Sequence, residues 1–380
     1  MSARKTRSVS IIGCGFVADL YMRSFAAHPD IAVTQVYDHD PERLRAFADH
    51  WHLHSVESLA RFLGNLPEGS LILNLTNPDA HYEISRSCLE AGHHVYSEKP
   101  LAMEMSDAIA LHELAAQKGV MLASAPCSVL GETAQTLAKA VREDVAGPVR
   151  LIYAELDDGF IPQAPYADWR SESGAPWPAQ DEFAVGCTLE HAGYYLTWLI
   201  AMFGAVRRVV AASAECLPDK GLSGGTATPD YASATLFFEN GLTARLTCSI
   251  VASHDHSLRL FGDRGVLKIK QAWDNEAAVR FHRRFTLRRR LIEHPIGKRV
   301  SLSGDTHPKV DRWGAAAMNF ALGPAEMLDA LAEGRPCRLS ADFALHLNEV
   351  TLAIQNAEAD GCAQEMSTRC DPLPPMPWAI

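Results

Sequence analysis

Ser8-Val-Ser-Ile-Ile-Gly-Cys-Gly-Phe-Val-Ala18 is the stretch whose reading decides the fold. A short apolar run meets Gly13-x-Gly15-x-x-Ala18. Ala18, Tyr21, Met22 and Phe25 then recur at the i, i+3, i+4, i+7 spacing of one helix face. Strand, tight turn and helix in that order make the setting of a dinucleotide site. Gly13 lets the chain turn, Gly15 has no side chain to obstruct a pyrophosphate, and Ala18 is small enough for the helix to lie close on its strand. The N–H groups of the first turn, from Phe16 and Val17 onward, would face the phosphates, where the helix dipole favours negative charge. Alone, the motif also reads as a chance glycine turn.

Working outward, Ile31 to Tyr37 reads as a second strand ending in Asp38. An acidic residue there sits where adenosine ribose hydroxyls are held. A carboxylate accepts from the 2′-OH and repels a 2′-phosphate, so NAD is expected. NADP stays open, because His39 and Arg43 lie close enough to bind a phosphate. Asp38-His-Asp-Pro41 is also good turn chemistry.

Strand and helix patterns then alternate. Pro41 to Trp51 reads as helix, Leu71 to Thr76 as strand, Ala80 to Ala91 as helix and His93 to Ser97 as strand. Asp107 to Lys118 reads as helix and Val120 to Ser124 as strand. The alternation predicts a parallel, doubly wound α/β sheet, with the strand ends after Ile12, Tyr37, Thr76 and Ser97 on one ligand-binding edge. The texture changes near Pro126. Thr133 to Arg142 is one more helix, followed by strand runs at 149–155, 206–213, 232–238, 242–251, 257–261 and 265–270. Hairpin signals at Glu239-Asn240-Gly241 and Gly262-Asp-Arg-Gly265 predict a mostly antiparallel sheet. Trp313 to Ala332 and Ala341 to Ala359 read as helices. The expected domains are 1–126, a Rossmann domain, and 127–380, an α+β domain for substrate and assembly.

Composition narrows the function classes. A formal net charge of −11 argues against a nucleic-acid binder. The basic start, Met1 to Arg7, precedes too short an apolar run for a signal peptide, and Leu196 to Val206 is too short to span a bilayer. Nine dispersed cysteines without a C-x-x-C pair imply reduced thiols in a cytoplasmic protein, with neither a disulfide frame nor a zinc site.

The stretch Ala91-Gly-His-His-Val-Tyr-Ser-Glu98-Lys99-Pro100 carries chemistry. A lysine at the C-terminal end of a parallel strand points into the crevice, where it would hydrogen-bond a substrate hydroxyl. Free lysine has a pKa of ~10.4, so proton abstraction near neutrality requires depression by burial or positive charge. Read alone, Lys99 is equally a surface residue in a turn before proline. The residues quoted so far, with Thr76-Asn77-Pro78 and His81, are similar in order and spacing to the glucose–fructose oxidoreductase / inositol dehydrogenase family, Gfo/Idh/MocA. The match is strong over Val9 to Pro126 and looser beyond.

The resemblance implies a Rossmann domain followed by an α/β domain with a large open antiparallel sheet that forms homodimers or homotetramers. It implies oxidation or reduction, with NAD(P), of a secondary alcohol of a sugar, cyclitol or nucleotide sugar. It also implies that Lys99 is the catalytic lysine, that Glu98 and Thr76 line the nicotinamide side, and that the bond before Pro100 is cis.

Gly186-Cys-Thr-Leu-Glu190-His191-Ala192-Gly-Tyr194-Tyr195-Leu-Thr197 departs from the family's Asp-x-Gly-x-His-x-x-Asp. Glu190 falls on the first Asp and Tyr194 on the His. Four apart, they share one helix face. His191 is the neighbour that would replace the missing imidazole, but it points about 100° around a helix. Tyr194, Tyr195 and Trp198 read equally as core or pocket-wall aromatics. Asp157-Asp158-Gly159 follows a strand, and Tyr166-Ala-Asp-Trp169-Arg170 and Asp181-Glu182 flank the Pro- and Gly-rich loop Gly174-Ala-Pro-Trp-Pro178, which either clamps a polyol through Asp, Arg and Trp or lies on the surface.

Arg280, Arg283, Arg284, Arg288, Arg289, Arg290, Lys298 and Arg299 form a basic cluster suited to a diphosphate, an anionic surface or an acidic partner, or to a solvated face. His50-Trp-His52-Leu-His54 and His254-Asp-His256 lack a carboxylate or cysteine set, and no metal is expected. Two rival readings remain at this stage. One is an NAD-assisted glycoside-cleaving or epimerising enzyme, and the other is a non-catalytic NAD sensor.

Overall fold

The N-terminal apolar run forms β1 (Arg7–Ile12), and the glycine turn delivers the chain into α1 (Phe16–Phe25). The computed structural model describes residues 7–221, 228–312, 314–359 and 361–380. Next come β2 (Ile31–Tyr37), α2 (Pro41–Trp51), α3 (Leu59–Gly64), β3 (Leu71–Asn74) and α4 (His81–Glu90). After these, β4 (His94–Ser97), α5 (Met105–Lys118) and β5 (Leu122–Ser124) complete the first layer.

Local chemistry sets these ends. The Asp40 side chain caps α2 by accepting from the Glu42 and Arg43 N–H groups, with Pro41 in the first turn. Gly119 ends α5 in the left-handed region. The strands lie in the order β2-β1-β3-β4-β5, every pair parallel. Helices cover both faces, so Ile11, Ile12, Ile72 and Leu73 are buried whichever way they point.

Beyond β5 the chain forms α6 (Glu132–Arg142), β6 (Val149–Asp157), α7 (Ala179–Val185) and α8 (Gly193–Phe203). Eight strands follow: β7 (Val206–Ala214), β8 (Tyr231–Phe238), β9 (Thr243–Ser249), β10 (Leu258–Gly262), β11 (Gly265–Ile269), β12 (Val279–Leu287), β13 (Arg290–Glu293) and β14 (Lys298–Val300). Then come α9 (Leu322–Glu333), α10 (Ala341–Gln355) and β15 (Cys362–Glu365). The second sheet runs β13-β12-β11-β10-β6-β9-β8-β7-β15, with β14 on β12. All its pairs are antiparallel except the central β6–β9. Along β8 and β9 every second residue is buried, among them Ala232, Ala234, Leu236, Ala244 and Leu246. One face of the sheet therefore carries the core. The most apolar run of the sequence becomes α8, whose Leu196, Trp198, Leu199 and Ile200 are buried in that core. Among the described residues no helix is long and apolar enough to cross a membrane.

Two expectations need correction. The helix expected over 313–332 is a 3₁₀ turn at Gly314–Ala317 followed by α9 from Leu322; Trp313 lies outside the described residues. The Asn319 and Ala321 N–H groups are taken by the Asn275 and Asn319 side chains, and the Phe320 N–H by Ser24 Oγ, so helical bonding cannot run through. The last long helix ends at Gln355. The basic cluster folds as the β12–β13–β14 meander, whose arginines hide the alternation of a strand. The C-terminal helices also return to the first layer: α10 packs on α5, and the Ala102 N–H donates to Asn348 Oδ1.

The glycine turn is locked between two strands. The Gly13 N–H donates to the Tyr37 carbonyl at 2.9 Å, and the Leu75 N–H to the Ile12 carbonyl at 2.7 Å. Gly13 has φ +97°, and a Cβ there would lie 2.5 Å from the Leu75 carbonyl carbon and oxygen. Gly13→Ala is expected to cost at least about 2 kcal/mol. The check is a thermal melt, in which the midpoint falls by several degrees.

Candidate active site

The ends of β1, β2, β3 and β4 open onto one edge, and a cleft of about 800 Å³ lies between that edge and the second sheet's α7–α8 segment. On the first-layer side Gly15, Phe16 and Val17 line it, while Ala18 packs fully buried beneath. A Cβ on Gly15 would meet no atom within 4 Å, so the turn leaves open space beside the first N–H groups of α1. That hollow suits a pyrophosphate.

Asp38 is buried next to it. Its Oδ2 accepts from the Cys14 N–H at 2.8 Å, its Oδ1 from the Asp40 N–H at 2.9 Å, and Arg43 Nε lies 3.1 Å away. Arg43 lines the cleft, whereas His39 does not; its side chain is 81% exposed, with Nδ1 3.4 Å from Asp38 Oδ1. Thr76, Asn77 and Pro78 line the cleft. His81 does not. It is fully buried behind them, its ring nitrogens 2.8 Å from the Thr76 carbonyl and 2.7 Å from the Pro100 carbonyl. It fastens the end of β3 to the end of β4. Burial pulls its pKa down, against the pull of the two carbonyls.

Glu98 and Lys99 enter the cleft from the end of β4. Tyr21 Oη donates to Glu98 Oε1 at 2.6 Å, and the Lys99 N–H to Glu98 Oε2 at 3.1 Å. The Lys99–Pro100 peptide is cis. Lys99 Nζ donates to Glu190 Oε2 across the cleft. Burial alone would lower the Lys99 pKa. Glu190, with Tyr194, Glu182 and Glu98 behind it, outweighs that and holds the ammonium charged. Glu190 is pushed up to about 7 by burial and by Glu182, with Lys99 pulling the other way.

Glu190 sits in a π-helical turn, Thr188–Ala192, that opens into α8. A π turn has more residues per turn than an α-helix, and such turns recur at functional sites. Here it brings Glu190, His191 and Tyr194 to one cleft wall together. This corrects the expectation, drawn for a regular helix, that His191 points away. His191 Nδ1 lies 2.6 Å from Asp158 Oδ2 and Nε2 lies 3.6 Å from Glu182 Oε2. Burial opposes charging the ring, but the two carboxylates raise its pKa well above the usual value and so favour the imidazolium. Burial would likewise raise Asp158, yet His191 and His256 hold it below the ordinary carboxylate range. Burial pushes the Tyr194 phenol up, and Lys99 offsets this only in part, so the phenol stays neutral.

Trp273 follows β11 and stands against this wall without any local sequence signal of its own. Tyr194 stacks on it at 4.2 Å and His256 at 5.3 Å. The loop before α7 supplies Trp169 and Trp177 to the cleft. Arg170, beside Trp169, does not line it and donates to the Ala167 and Trp169 carbonyls. Tyr195 is 1% exposed in the core, because one helical step from Tyr194 turns it away from the cleft. His254 and His256 do gain a carboxylate, since their ligand atoms and that of Asp158 lie within 4.8 Å of one another. His256 Nε2 is 2.6 Å from Asp158 Oδ1 and Nδ1 is 3.2 Å from Gln271 Nε2, so the group forms a hydrogen-bonded network. None of the basic cluster on β12–β14 lines the cleft.

Known proteins resemble the chain over most of its length. Residues 7–125 match the oxidoreductase family with an NAD-binding Rossmann fold, and residues 134–268 match the GFO/IDH/MocA C-terminal domain. An uncharacterized oxidoreductase of Synechocystis sp. is 24% identical over 308 residues, 78% of each chain. The structure of an inositol dehydrogenase homolog from Azotobacter vinelandii, complexed with NADH and myo-inositol, superposes with a TM-score of 0.74 at 16% identity, covering 95% of this chain and 98% of that one. A dehydrogenase from Bordetella pertussis in complex with NADH and UDP-GlcNAcA gives a TM-score of 0.71 at 17% identity, over 97% and 99%. At these identities the solved structures attest the fold. With both halves matched by its models and the glycine-turn cleft in place, the chain belongs to the Gfo/Idh/MocA family of NAD(P)-dependent oxidoreductases.

Proposed function

We propose that the chain moves a hydride between a nicotinamide and a secondary alcohol of a sugar, cyclitol or nucleotide sugar, with Lys99 and Glu190 handling the proton. The observation that carries this reading is the Lys99–Glu190 contact across the cleft, at the end of the strand next to the glycine-turn layer. Relatives in solved structures hold a cyclitol in one case and a nucleotide sugar in another, which brackets the substrate class. A bound nicotinamide supplies the hydride acceptor or donor.

The chain's own residues do the rest. Lys99 Nζ holds the reacting oxygen. As the hydroxyl proton passes to Nζ, Nζ passes one of its own to Glu190 Oε2, so the ammonium stays charged and Glu190 ends protonated. A carboxyl titrating at about 7 suits that exchange near neutral pH. His191, clamped by Asp158 and Glu182, contributes fixed positive charge, and neutral Tyr194 donates a hydrogen bond. Residues 1–126 would serve the cofactor and 127–380 the substrate. The open face of the second sheet, where Arg245 lies 4.1 Å over the Tyr153 ring, would pair copies into a homodimer or homotetramer. NAD would be preferred over NADP, because the Asp38 carboxylate occupies the ribose end and repels a 2′-phosphate.

Lys99→Ala is expected to lower turnover at least a thousandfold while NADH still binds, as read by quenching of tryptophan fluorescence. Retained turnover would refute the role. For oxidation, kcat/KM should rise with pH through about 7, since Glu190 must start as carboxylate to accept a proton. Reduction should show the opposite limb, and Glu190→Gln should abolish both. Asp38→Asn removes the charge and keeps an acceptor for the Cys14 N–H. The NAD-over-NADP ratio of kcat/KM should then fall at least tenfold, equivalent to about 1.4 kcal/mol.

A further inference from the structure

The cleft wall that faces Lys99 is acidic beyond what its cations neutralise. Asp158, Asp181, Glu182 and Glu190 all line it. The cations beside them are Lys99, held on Glu190, and His191, held between Asp158 and Glu182. Two further cations line the cleft, and both are engaged: Arg23 with Glu172, and Arg43 with Asp38 and Asp40. Every lysine and arginine that lines the cleft is thus already in an ion pair with a carboxylate. Glu98 lines the cleft on the Lys99 side, so the carboxylates outnumber these cations even with an oxidised nicotinamide in place. Asp181 shows the surplus: burial raises its pKa, and Asp79 and Glu182 add to the rise.

The remaining wall is flat and aromatic. Trp169, Trp177 and Trp273 present ring surface suited to the C–H face of a polyol. The Trp273 Nε1–H is buried and has no acceptor among the described residues. Aromatic faces with carboxylate acceptors recognise hydroxyl and ammonium groups. A phosphate brought against the same carboxylates meets like charge in a partly desolvated site.

We propose that this cleft takes a polyol bearing no anionic group, either uncharged or carrying an ammonium, and rejects uronates, sugar phosphates and nucleotide sugars. This rests on the dehydrogenase reading above and narrows its substrate class. Asp158, Asp181 and Glu182 are the specificity determinants, acting by repulsion.

The test is initial-rate kinetics at 340 nm with NAD and NADP on matched sets. One set is D-glucose, D-glucosamine, D-glucuronate, D-glucose 6-phosphate and UDP-glucose; the other is myo-inositol and myo-inositol 1-phosphate. The uncharged or amino member is expected to exceed its anionic partners at least a hundredfold in kcat/KM. An anionic member that is preferred, or within tenfold, overturns the inference and leaves the dehydrogenase reading standing. No turnover across both sets, with NADH binding intact, overturns the dehydrogenase reading and the inference with it. Asp181→Asn keeps an acceptor for the Asn77 side chain and removes one charge. The inhibition constant of the anionic partner should fall at least tenfold in that variant at low ionic strength. An unchanged constant overturns the assignment of rejection to the carboxylates.

Discussion

The ion pair between Lys99 and Glu190 is the constraint on which the site depends. Lys99 leaves the end of β4, while Glu190 sits in the π turn ahead of α8, 91 positions later. Both are largely withdrawn from water, with 17% and 5% of their side chains exposed. Burying either charge alone is expensive, so each sheet's contribution is stable only when the other is in place. The pair thus ties the strand-end edge of the first sheet to the π turn and α8. In the proposed reaction it also keeps a transferable proton where the reacting hydroxyl would meet both.

Around this pair the second half reaches back over the first. Ser173 Oγ donates to Asp19 Oδ2 at 2.7 Å, Arg23 pairs with Glu172, and Asn77 Nδ2 donates to Asp181 Oδ2 at 2.6 Å. These contacts pin the tryptophan-bearing loop over the glycine turn, so the cleft is walled by both halves of the chain. Removing water from such a site strengthens each electrostatic contact inside it. The imidazole and the phenol of this wall, His191 and Tyr194, differ in character. His191 stands three residues earlier, charged and clamped, and the Tyr194 phenol stacks on Trp273. In the proposed mechanism, proton exchange therefore falls to the lysine–glutamate pair, and the histidine supplies field.

Much of the first layer was legible. Gly13, Gly15 and Ala18 announce a turn that only that backbone geometry tolerates, and Asp40-Pro41 marks the start of a helix by its own capping. Hairpin residues at 239–241 and 262–265 located two antiparallel pairs of the second sheet. Each is a local signal, fixed by φ, ψ and hydrogen bonding within a few residues. The failures share the opposite cause. The helix expected through 319–321 breaks because Ser24 and Asn275, far away in sequence, capture its N–H groups. The β12–β14 strands escaped notice because arginines occupy both faces of an exposed meander.

The sequence by itself determined a dinucleotide fold, a lysine at its reactive edge and the helix bearing Glu190 and Tyr194. Glycine stereochemistry, strand alternation and helical spacing are properties of neighbouring residues. Only the tertiary structure decided which side chains share a wall. It turned His191 inward through a π turn, buried Tyr195, sent Arg170 back to its own backbone and brought Trp273 and Asp158 to meet Tyr194 and His191. Those outcomes come from packing and charge pairing between distant segments, which no local pattern encodes.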